Sequence, residues 1–185
     1  NYRTFPQLHL ILKADPVAFY HWRQFLHQKG LEHSPSWSEE AVQEFLATHS
    51  AGTLDQFEIA SDEVLANFDK VLKEHPAARW HWASVVAREA PGQVNPKGIP
   101  AKLVQDFLES YRAGSFEQVE MASRELAAQV NSFQRKASGI AEWEAFANSQ
   151  FGYRVAPFDP KYWPADLVRG FLAEKSLQRI ADRYA

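Results

Sequence analysis

The chain of 185 residues carries 20 basic and 23 acidic residues, a formal net charge of −3, and no basic run longer than two, so the electrostatic footprint of a nucleic-acid binder is missing. It has no cysteine, which removes disulfides, thiolate metal sites and cysteine nucleophiles, and no uninterrupted apolar stretch approaching the roughly 18 residues of a membrane span. With 45% hydrophobic residues it can bury a real core and reads as a soluble, globular chain whose compartment composition does not fix.

The opening, NYRTFPQLHLILKADP, has neither the long apolar core nor the cleavage pattern of a signal peptide. Without an initiator Met, the chain is expected to be a processed product or an excised domain. A first helix is predicted from Pro16, where a proline lacks only an N–H that had no helical partner, with Asp15 as its N-cap. The loop GLEHSPS follows, and a second helix from near Ser38 carries Val42, Phe45 and Leu46 on one stripe, the i, i+3, i+4 spacing of a helix face. A third helix is predicted from about Leu54 to Glu74, with Phe57, Val64, Leu65, Phe68, Val71 and Leu72 on its stripe.

The same order then returns. DPVAFYHW (15–22) is echoed by HPAARWHW (75–82), VQEFL (42–46) by VQDFL (104–108), and AGTLDQFEIAS (51–61) by AGSFEQVEMAS (113–123). The second round predicts a helix from Pro76, the loop APGQVNPKG, a helix from Pro100 with Val104, Phe107 and Leu108, and a long helix with Val119, Leu126, Val130 and Phe133. A worn third copy sets IAEWEAF (140–146) where AARWHWA stood and WPADLVRGFL (163–172) where IPAKLVQDFL stood. At the start, LHLILKADP lies over FDKVLKEHP and reads as the tail of an earlier unit, as in a piece cut from a longer array.

The predicted fold is all-α: tandem three-helix units of about 60 residues forming a helical-repeat bundle array. Residues 1–15 are the tail of a preceding unit or an N-terminal helix, 16–75 the first repeat, 76–137 the second, and 138–185 a partial or degenerate third. Breaks are expected near 29–37, 51–53, 90–99, 113–115 and 152–163. In the repeated string, Gly52 and Gly114 are expected to end a helix in the left-handed conformation, and Thr53 and Ser115 to cap the next one at once.

Seven histidines raise the question of metal or haem, but His21 and His27, like His75 and His81, are six apart, which puts the members of a pair on different helix faces. No metal or cofactor is expected. No GxSxG, HExxH, phosphate loop or dinucleotide fingerprint occurs, and the chain is read as not an enzyme, with no catalytic residues. Tyr20, Trp80 and Trp143 share one repeat position and are expected to anchor each core. Trp22 and Trp82, two residues on and about 200° around a helix, should then point elsewhere.

The expected function is that of a non-catalytic scaffold that binds another protein, with Trp22, Trp82, His21 and His81 as the partner-binding residues. Self-association is allowed, and the loops around Pro35, Pro96 and Pro160 are the fallback surface. An alternative is an apolar small-molecule binder with a Trp/Phe-lined pocket between helices, and a third is a helical enzyme without a motif.

Overall fold

The computed structural model describes residues 5–31, 37–91, 95–135, 137–151 and 159–184, with 137 and 178–184 described by backbone alone. Among these residues lie nine α-helices: α1 (Pro6–Ala14), α2 (Pro16–Gln28), α3 (Glu39–Ser50), α4 (Asp62–Glu74), α5 (Pro76–Glu89), α6 (Ala101–Arg112), α7 (Arg124–Phe133), α8 (Ala137–Phe151) and α9 (Ala165–Tyr184). The class is therefore all-helical. No helix of the described residues is long and apolar enough to cross a membrane. The loop centre at Pro35 and residues 152–158 of the last loop lie outside the described residues.

Helix starts follow local chemistry. The Asp15 carboxylate accepts from the backbone N–H groups of Val17 at 2.9 Å and Ala18 at 3.2 Å, with Pro16 opening α2. Pro96 and Pro160 each open a single 3₁₀ turn, whose amides at Lys97 and Lys161 are taken by the side chains of Asn95 and Asp159.

The repeated string does end helices as expected, with Gly52 at φ +65° and Gly114 at φ +66°. It does not start the next ones. The predicted third helices from Leu54 and its twin begin late, at Asp62 and Arg124, after an extended linker. The caps are Ser61 and Ser123, whose hydroxyls accept from Val64 N–H at 3.4 Å and Leu126 N–H at 3.2 Å. Thr53 instead turns its hydroxyl back onto the Thr48 carbonyl at 3.1 Å.

Each linker is strapped to a later helix start. Ala101 N–H donates to Glu58 O at 2.7 Å, and in the second copy Ala165 N–H donates to Glu120 O at 2.8 Å and Ala122 N–H to Trp163 O at 2.8 Å. The bonds from Ala101 and Ala165 satisfy first-turn donors of α6 and α9 that a helix cannot satisfy itself, and the bond from Ala122 adds a second strap in the second copy. Phe57 and Val119 accordingly sit on linkers and not on a helix stripe.

Buried side chains gather in three clusters: one from α1–α3 around Trp22 and Phe45, one from α4–α6 around Phe68, Trp82 and Phe107, and one from α7–α9 around Trp143, Trp163 and Phe171. One ring pair recurs in all three. Trp22 meets Phe45 at 4.9 Å and 66°, Trp82 meets Phe107 at 5.1 Å and 70°, and Trp143 meets Phe171 at 5.0 Å and 76°, all edge-on. Trp143 thus takes the place of Trp22 and Trp82, not that of Tyr20 and Trp80.

Of the three rings expected at the core, Trp143 is buried there, but Tyr20 and Trp80 do something else. Tyr20 is half-buried against the α4–α6 cluster, and Trp80 is half-buried against the α7–α9 cluster, 5.1 Å from Trp163 and 4.8 Å from Phe151. They join one cluster to the next. Beside them Gln24 Nε2 donates to Pro91 O at 3.0 Å, and the Arg79 guanidinium stands 4.6 Å over the Tyr162 ring.

Candidate functional site

Of the four residues singled out in the sequence, the two tryptophans are withdrawn from solvent. Trp22 is 0% exposed and Trp82 5%, so neither ring can meet a partner without opening a core. The reason is phase. Trp22 shares its stripe with Ala18 and Leu26, and Trp82 with Ala78 and Val86, all buried and four residues apart along one helix face.

The two histidines are different, because each lies beneath a linker just after its corner glycine. In the first copy His21 Nε2 lies 2.8 Å from the Asp55 carbonyl, and its ring touches Phe57 at 5.9 Å. Close by, His49 Nε2 is 3.8 Å from the Asp15 carboxylate. The imidazoles of this corner thus each have an oxygen partner, beside the rings of Tyr20 and Phe57.

In the second copy Tyr111 replaces His49, His75 replaces Asp15, Phe116 replaces Leu54 and Glu117 replaces Asp55. The corner is consequently an aromatic cleft of about 260 Å³, lined by His75, His81, Tyr111, Phe116, Glu117 and neighbours. His81 stacks on Phe116 with ring centroids 4.7 Å apart and planes 8° from parallel, and Tyr111 stands 5.2 Å from His75 and 6.2 Å from His81.

His81 is 8% exposed, and neither ring nitrogen makes a well-formed hydrogen bond, although the Glu117 main chain lies near enough to act on the ring. That is a costly arrangement for a buried imidazole. Burial lowers its pKa below the ordinary 6.5, while the main chain and carboxylate of Glu117 pull the other way without offsetting it. The ring is therefore neutral at pH 7, with one N–H and one lone pair. Burial also pushes the Tyr111 hydroxyl pKa up, so it remains a neutral phenol.

His75 and His81 were expected on different faces, yet they line the same cleft. His75 is not in the helix: it precedes Pro76 with φ −129° and ψ 100°, and this extended backbone brings it round to Tyr111. No group of three or more His, Asp or Glu able to hold a metal occurs among the described residues. Sequence spacing pointed to His81 but not to Tyr111, Phe116 or Glu117. Their signal lay in how the two copies differ at matching positions.

Further clefts open to solvent border described residues. One of about 400 Å³ lies between α1 and α3, bordered by Phe5, Leu8, Val42 and Leu46, and one of about 160 Å³ lies between α7 and α9. Comparisons with protein-family models, with curated proteins and with solved structures find no match to this chain.

Proposed function

We propose that the chain is a tandem array of three-helix units, 6–50, 62–112 and 124–184, joined by the extended linkers, and that it serves as a non-catalytic scaffold binding another protein at the linker corners. Setting the boundaries at the linkers, and not at 15/16 and 75/76, keeps each buried cluster within one unit apart from Ala60 and Ala122, which the linkers contribute. Trp22 and Trp82 have no part in that surface. The linkers Asp55–Glu58 and Glu117–Glu120, with His21 and His81 beneath them, take their place.

The observation that carries this reading is the recurrence, at matching corners, of an exposed extended segment strapped to the body at Glu58 and at Glu120. Extended edges of this kind offer backbone groups to an incoming chain. The described clefts lie open at the surface, which favours a protein surface over an enclosed apolar ligand.

Photo-cross-linkers at Gln56 and Gln118, with Lys70 on α4 as control, test the proposal in extract from the source cells. A discrete protein adduct from the linker positions and none from Lys70 is expected. Equal labelling at all three positions, or none, contradicts it.

A further inference from the structure

The second corner differs from the first in ways that select a ligand. In the first, His21 has the Asp55 carbonyl at 2.8 Å and the carboxylate of Asp15 faces His49. In the second, His75 stands where the Asp15 carboxylate was, and the Glu117 carbonyl, counterpart of that of Asp55, makes no well-formed hydrogen bond to His81. His81 is left buried, and a 260 Å³ cleft opens beside it.

The chemistry of the lining narrows the class. Aromatic faces are supplied by Tyr111, Phe116 and the neutral imidazole of His81, whose π clouds attract cations. The acidic residue on the lining is Glu117, whose carboxylate is near enough to His81 to favour its charged form. No lysine or arginine is among the described residues that line the cleft. An anion would meet a carboxylate and no positive partner, whereas a cation meets both a carboxylate and rings.

We infer that the cleft bounded by His75, His81, Tyr111, Phe116 and Glu117 binds an alkylammonium group, carried either by a lysine side chain, methylated or not, or by a free quaternary amine. The volume accommodates a trimethylammonium head with the start of its stem. This inference stands without the partner-binding proposal, since the cation can come from a small molecule.

The test is a titration of the full chain with choline, with Nα-acetyl-lysine methylamide and with its Nε-trimethyl form, followed through the ring resonances of Tyr111 and Phe116 by NMR. The uncharged choline isostere 3,3-dimethylbutanol is the control. Saturable shifts confined to the second corner are expected for at least one cation and not for the isostere. Saturation by the lysine forms alone assigns the ammonium to a protein side chain, and saturation by choline alone to a small molecule; either supports the site.

Glu117→Gln, an exposed change that leaves the fold alone, should weaken binding about two- to fivefold, the scale of a solvent-screened ion pair. Tyr111→Leu should weaken it several-fold, and Asp55→Asn in the first corner should leave it unchanged. The inference is overturned if no cation saturates by about 50 mM, if the isostere binds as well, or if Glu117→Gln has no effect.

Discussion

Replacing Trp82 by alanine separates a core ring from a surface ring most sharply. Trp82 is 5% exposed and lies edge-on to Phe68 at 4.7 Å and to Phe107 at 5.1 Å. A tryptophan buries about 150–250 Å², which at roughly 25 cal/mol per Å² gives about 4–6 kcal/mol. Structure remaining in the unfolded chain lowers this by roughly 10–40%, to about 3–5 kcal/mol, the range measured for large aromatic truncations. With a urea m-value of about 2 kcal/mol/M, the unfolding midpoint should fall by roughly 2 M. The assay is equilibrium urea unfolding followed by far-ultraviolet circular dichroism at fixed pH. A midpoint change below about 0.5 M, the response of a solvent-facing ring, would refute the core placement and return Trp82 to the surface.

Three further outcomes are expected. Gly139→Ala should destabilise by about 2 kcal/mol or more, because its Cβ would fall 2.2 Å from the Phe133 carbonyl oxygen, whereas Gly170→Ala, with open space around it in α9, should stabilise by about 0.5–1 kcal/mol; thermal melts giving the same sign for both contradict the packing of α8 on α7. Ser61→Ala and Ser123→Ala should each lose about 1 kcal/mol in urea unfolding and Thr53→Ala clearly less; the reverse order would place the helix starts at the corner glycines. Because burial holds the His81 pKa below 6.5, the unfolded chain takes up its proton first as pH falls, so stability present above about pH 6.5 is lost below it. His81→Phe should lessen that loss, judged by urea midpoints at pH 8 and pH 5; parallel pH profiles for the two proteins would show that His81 does not titrate in a buried setting facing His75, Tyr111 and Glu117.

Much of the fold was legible because periodicity and punctuation act locally. The Val42, Phe45, Leu46 stripe and its copy at Val104, Phe107 and Leu108 are buried as read, and both corner glycines take the left-handed conformation. The linkers were missed because Thr53 and Ser115 offered a nearer cap than Ser61 and Ser123, and the bonds that tie down the intervening residues, such as those from Ala101 and Ala165, are long-range. The sequences SDE and SRE at 61–63 and 123–125, a cap followed by acid in the first turn, were the available signal.

The tryptophans were misassigned for a related reason. Positions i and i+2 on a helix cannot both face one core, but that rule does not say which does. The fourfold spacing Ala18–Trp22–Leu26, repeated as Ala78–Trp82–Val86 and Gly139–Trp143–Ala147, points to the second ring and would also have set the third copy in register. Of the candidate site, His81 was legible by its place in the repeat. Its cleft was not, since it depends on Tyr111 and Phe116 arriving from other elements.

The scaffold proposal is tested most directly by amide hydrogen exchange of the full chain, alone and in complex with the protein captured at Gln118. Binding at the corners should slow exchange in residues 114–120, and in 52–58 if both corners engage, with little change along the exposed faces of α4 and α9. Protection confined to the helices, with the linkers exchanging as fast as in the free chain, would contradict it.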